Sequence, residues 1–202
     1  HTAYRRQRQM CIRDSFRPCF LLALAGFFLA WGTLVGGADA QGLVRGNFSD
    51  WELRCEQQQG REEQCILYQN VADERDPNIN VVVVVLRVSE GVGADGKPAP
   101  RRPILRVIAP LGVLLPRGLG LRIESATEKD AQGKPTVKDI GSTGFVKCVP
   151  SGCVAEVEID DRLHNELKNG QTATFIIFDK PNEGRGLPLA LVGYEKGLQA
   201  LK

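Results

Sequence analysis

The chain has 202 residues and carries 26 basic against 24 acidic side chains, a near balance. Beyond residue 40 the one adjacent basic pair is Arg101-Arg102, so the clustered positive charge that a nucleic-acid-binding surface requires is missing. With the first forty residues set aside, 162 of the 202 remain, enough for one domain with a real core and too few for two ordinary ones.

Residues 1–40 read as a secretion address. Arg5, Arg6, Arg8, Arg13 and Arg17 form a basic leader, residues 20–35 are uncharged and apolar, and Ala38-Asp39-Ala40 places small side chains at the cleavage spacing. Cleavage is expected before Gln41. A retained anchor fits less well, because the apolar stretch holds Gly26 and Gly32 and falls short of the ~20 apolar residues of a spanning helix. A lipoprotein fits less well again, since Cys19 precedes the apolar run. The start is expected at Met10 or later, with residues 1–15 read as partly an artefact. The leader holds five of the 26 basic and two of the 24 acidic residues, leaving 21 against 22. The expected exported domain is therefore near neutral, without a transmembrane segment.

The domain keeps Cys55, Cys65, Cys148 and Cys153, an even number in a chain bound for an oxidising compartment. Each pair closes a short local segment with turn-forming residues inside, which predicts Cys55–Cys65 and Cys148–Cys153 bridges. A four-cysteine zinc site is the rival, but its ligand pairs sit two to four residues apart, against nine and four here. No metal site and no cofactor are expected.

From Phe48 onward the pattern is of short strands broken by turns. Residues 48–55 come close to alternating, with Trp51, Leu53 and Cys55 on one face, and in residues 64–71 Cys65, Leu67 and Gln69 face one way. Residues 79–88 contain five consecutive valines, whose β-branching favours strand; the unbroken apolar run predicts burial on both faces near the middle of a sheet. Residues 90–102 read as a solvated hairpin loop. Strands follow at 104–109 and 119–124, joined by an apolar loop punctuated by Pro110, Gly112, Pro116 and Gly118. Residues 125–144 are polar and read as a long excursion. Further strands are expected at 144–149, 154–159, 172–179 and 187–192. A short helix over residues 160–170 separates the second and third of these, with an Asp cap, Leu163 and Leu167 on one face, Lys168 near its end and Gly170 to stop it. A last turn, 194–201, docks through Leu198 and Leu201. Eight or so strands of this kind predict an all-β, mainly antiparallel fold, a single β-sandwich over residues 41–202, immunoglobulin-like or related, with one or two short helices.

These landmarks resemble the invasion-associated locus B family of exported proteins. The resemblance runs through Trp51 and Cys55, Cys65 before an apolar strand, Pro110-Leu111-Gly112-Val113 with Leu115 and Gly118, and then Phe145, Cys148, Gly152-Cys153 and Ala155. It continues with Leu167-Lys168-Asn169-Gly170 and closes with Leu187-Pro188-Leu189-Ala190-Leu191-Val192-Gly193-Tyr194. It implies a periplasmic, surface-associated or secreted β protein, linked in some pathogenic members to invasion of host cells. The valine run and the segments 90–102 and 125–144 are elaborations of this chain.

No catalytic constellation emerges from the residues. His164 is the one histidine after residue 40 and sits among charged residues of a short helix, and there is no G-x-S-x-G elbow. Glu62-Glu63 and Asp160-Asp161 read as loop or cap residues, and residues 73–78 lack the ligand spacing of an EF-hand calcium loop. Cys148 and Cys153 are spaced as a clasp rather than a C-x-x-C redox pair. Gly91-Val92-Gly93 and Gly184-Arg185-Gly186 read as turns. The expectation is a non-enzymatic exported protein acting by binding a protein or cell-surface partner, with segments 90–102 and 125–144 as contact regions. The alternative is a periplasmic hydrolase or thiol-handling enzyme with an unfamiliar site.

Overall fold

A computed structural model describes residues 42–201 apart from 58–59, 61, 90, 92–95 and 97–98. The expected leader, and most of segment 90–102, therefore lie outside the described residues.

Strands alternate their side chains between two faces, and in this chain the alternation sorts apolar residues onto facing sheets. The first sheet begins as a meander of β1 (Leu43–Phe48), β2 (Trp51–Glu56), β3 (Gln64–Ala72), β4 (Asn80–Val88) and β5 (Arg102–Ala109). The loop after β5 crosses to the second sheet, where β6 (Leu119–Lys129) pairs with β7 (Pro135–Thr143). The chain then returns to the first sheet as the hairpin β8 (Phe145–Val149) and β9 (Gly152–Glu158), with β9 beside β5. Helix α1 (Asp161–Asn169) leads back to β10 (Gly170–Lys180) and β11 (Glu183–Ala190), and α2 (Tyr194–Ala200) closes the described chain. The orders are β1-β2-β3-β4-β5-β9-β8 and β11-β10-β6-β7, with every pairing antiparallel. The result is a two-sheet, sandwich-like all-β fold with two short helices.

The core lies between the sheets. Leu53, Leu67, Val81, Val83, Val85, Leu105 and Val107 from the first sheet belong to one buried cluster with Leu121, Ile123, Ala173, Phe175, Ile177, Leu187 and Leu189 from the second. The valine run is β4, the middle strand of seven. Its alternate residues Val81, Val83 and Val85 are fully buried, whereas on the other face Val84 is buried and Val82 half-buried. Burial on that outer face has a local cause: Val84 lies between Tyr68 and Arg106, its cross-strand neighbours, whose long side chains flank it.

Three local expectations are corrected. Residues 48–55 are not one strand, because a turn at Ser49–Asp50, with Ser49 at φ 57°, separates β1 from β2. Segment 125–144 is not an irregular excursion: β6 runs on to Lys129, Asp130 accepts the N–H groups of Gln132 and Lys134 in a tight turn, and β7 returns. Gly184 to Gly186 is not a turn but part of β11, where side chains of the neighbouring β10 lie over the two glycines: Ile176 and Phe178 over Gly184, Thr174 over Gly186. Helix α1 ends at Asn169 with Gly170 as its C-cap, as expected; the glycine is extended, with φ −80°, and a Cβ there would meet Ile123 and Leu191, both at 2.6 Å. The rest of α1 follows its sequence, with the Asp160 carboxylate accepting the Leu163 N–H at 2.7 Å and Leu163 and Leu167 buried.

Candidate functional site

His164 projects from α1 toward α2, and its Nδ1 lies 3.4 Å from the Tyr194 hydroxyl. Tyr194 is almost wholly buried, and that burial pushes its hydroxyl well above the ordinary tyrosine range, so it stays protonated. The pair joins two helices. Besides the protonated Tyr194 hydroxyl, no serine, threonine or cysteine nucleophile and no carboxylate contacts the imidazole among the described contacts, so the geometry of acyl transfer is not assembled around it.

The carboxylates considered for acid–base work are separated into structural roles. Glu62 pairs with Arg101 at 2.7 Å and Glu63 with Arg45 at 2.8 Å, while Asp160 caps α1. The oxygen-rich segment 73–78 is a turn that satisfies itself. Asp73 accepts the backbone N–H groups of Arg75 and Asp76, and Asp76 accepts from Asn78. Asp73 is buried and is also gripped by Arg185 at 3.0 Å; that guanidinium reaches Asp179 at 3.3 Å. The Arg75 N–H first, and the Arg185 hydrogen bond second, hold the Asp73 carboxyl below its ordinary value. The ion-paired Asp73, Arg185 and Asp179 line a polar surface groove of about 660 Å³ together with Glu74 and Glu183. Sequence reasoning places Arg185 in a turn and so passes over it; its position beside Asp73 depends on β11 lying near β3, 112 residues away.

Cysteines 55 and 65 face each other across the β2–β3 ladder, and Cys148 and Cys153 across β8–β9; both pairs are bonded. Cys55, Glu63 and Cys65 cluster closely enough to suggest a metal, but both sulfurs are already in the disulfide and hold no thiolate to donate. Two disulfides suit an oxidising environment. Among the described residues no helix is long and apolar enough to cross a membrane.

What these features define is a small disulfide-bonded β-sandwich in which His164, Asp73, Asp160 and the four described cysteines are engaged in structural contacts. A family model described as "Invasion associated locus B (IalB) protein" matches residues 51–202. The chain belongs to that family. Its fold is similar to the crystal structure of invasion associated protein B from Bartonella henselae, with a TM-score of 0.51 and 20% identity over 79% of this chain and 95% of that one. No curated protein matches the sequence significantly.

Proposed function

We propose that this protein is exported to the periplasm or cell surface and acts there by binding a protein or surface partner, without catalysing a reaction. The observation that carries the reading is the engagement of its chemistry-bearing groups: His164 is held against a buried tyrosine, Asp73 is locked by Arg185, and all four described cysteines are bonded. A rigid sandwich with projecting hairpins is a common way to present recognition surfaces. The β6–β7 hairpin and segment 90–102 are the contact regions in this reading. The family's name points to invasion, and binding at a cell surface is the step of such a process that this chain is suited to perform.

Crosslinking in intact cells followed by capture of the protein tests this directly, using wild type and variants in which each hairpin is shortened to a Gly-containing turn. Specific partners that are lost on shortening support the proposal. Turnover of an ester, peptide or disulfide substrate by the purified protein, abolished by His164→Ala or by a cysteine substitution, would overturn it.

A further inference from the structure

The two sheets leave a gap along one side. There β7 is the end strand of the second sheet, while in the first sheet the β8–β9 ladder stops at Phe145 opposite Ala155. Residues 156–158 therefore have β5 on one side and no β8 residue on the other. The Ile159 N–H donates to the Pro103 carbonyl, so residues 159 and 157 point their backbone groups at β5 and residues 156 and 158 point theirs away from it. Glu156 and Glu158 thus present N–H groups toward the gap.

An apolar cavity of about 100 Å³ opens between these two edges, lined by Leu105, Val107, Leu121 and Phe175, with Leu163 from α1 and Ile140 from β7. A bulge shapes its β7 side. Leu121 faces Gly141 and Arg122 faces Asp139, which leaves Ile140 unopposed, and Gly141 takes φ +116° to make the bend. Around the gap the charges are already matched: Glu156 with Arg106, Glu158 with Arg102, Asp139 with Arg122, and Lys138 with Glu166. Such a rim complements an uncharged main chain, not an ionic head group.

We propose that this cleft receives an extended peptide strand of a partner, which pairs with the free edge of β7 and seats one branched aliphatic side chain in the cavity. The inference rests on the binding reading above and names the form of its partner. Free strand edges recruit peptides through main-chain hydrogen bonds, and a pocket beside the edge selects the side chain. Dry apolar cavities of about 150 Å³ accept a benzene-sized group, so one of about 100 Å³ suits a single leucine or isoleucine side chain.

The test titrates the ¹⁵N-labelled full exported protein with the capped pentapeptide Thr-Leu-Thr-Leu-Thr. Saturable shifts at residues 140–143 and 155–157, with slowed exchange of the outward-facing amides of β7, are expected. Replacing both leucines by alanine should weaken binding roughly tenfold or more. N-methylation of alternate peptide amides should abolish it, since it removes main-chain donors. These peptide controls make the outcome independent of protein variants such as Ala155→Leu, which fills the cavity and can also impair folding. No shifts at millimolar peptide, shifts confined to β1 or to the Asp73 groove, or equal binding by the alanine peptide would each overturn the proposal. Failure here alongside a partner recovered by crosslinking removes the cleft and leaves the binding reading standing.

Discussion

The Trp51 indole Nε1 donates a 3.0 Å hydrogen bond to the Ala190 carbonyl, tying the start of β2 in the first sheet to the end of β11 in the second. Trp51 is 1% exposed and its ring centre lies 6.0 Å from that of Tyr194, so the buried indole meets the half-buried Ala190 carbonyl at the margin of the core, where an unmet carbonyl is costly. Trp51→Ala should destabilise by about 3–5 kcal/mol through the cavity it leaves. Trp51→Phe retains most of the packing and strands the carbonyl, for about 1–3 kcal/mol. Urea unfolding of the two variants measures both terms, and a Phe variant as stable as wild type would show that the hydrogen bond contributes little.

Gly193 enters α2 with φ +92°, and a Cβ there would run into the Phe48 carbonyl. Gly112 has a similar φ of +97° but open space around it. Gly112→Ala should therefore cost only the left-handed penalty, about 1–2 kcal/mol, and Gly193→Ala clearly more, because β1 or α2 has to move as well. Thermal unfolding of both variants gives the comparison; equal losses would mean that the Phe48 contact yields easily.

The elements legible in the sequence are those with one face in the core. Val81, Val83 and Val85, or Leu163 and Leu167, repeat at the period of their own element and announce it. By contrast, β1 and β7 carry residues such as Arg45, Lys138, Asp139 and Ser142 and bury little of either face, so no apolar rhythm marks them. Glycines mislead where a neighbouring strand supplies the side chain, as Ile176 and Phe178 do above Gly184. The cleft is illegible for a different reason: Leu105, Leu121, Ile140, Val157 and Phe175 meet only because the chain changes sheets between β5 and β6, and again between β7 and β8.

Asp73 makes stability depend on acid. Its folded-state carboxyl is held below the ordinary value of 3.8 by the Arg75 N–H and then by Arg185, so the ionised form contributes stability above the unfolded pKa. That contribution is lost as pH falls through the depressed folded value. Wild type should weaken more steeply than Asp73→Asn as the medium is acidified below about pH 4, while Asp73→Asn is the less stable protein at neutral pH. Urea midpoints taken across that range test the slope, and parallel curves for the two proteins would remove Asp73 from the acid response.

The two disulfides differ in how they meet solvent, and that difference predicts an order of reduction. Cys148 is exposed on β8, the end strand of its sheet, although its partner Cys153 is buried. In the other bridge Cys55 is buried and Cys65 half-buried, within the ladder between β2 and β3. Exchange begins when a thiolate reaches a sulfur, so a small thiol under native conditions should open Cys148–Cys153 first. The bridges close separations of 5 and 10 residues, which in the loop-entropy model contribute about 2–3 kcal/mol each, the longer one slightly more. Removing Cys55–Cys65 by double alanine substitution should accordingly cost more than removing Cys148–Cys153, and Cys55 also leaves a gap in the buried cluster. Trapping free thiols with one alkylating reagent during reduction and the rest with a second, followed by peptide mapping, reads the order directly. Simultaneous opening, or Cys55–Cys65 opening first, would mean that access to Cys148 does not control the exchange.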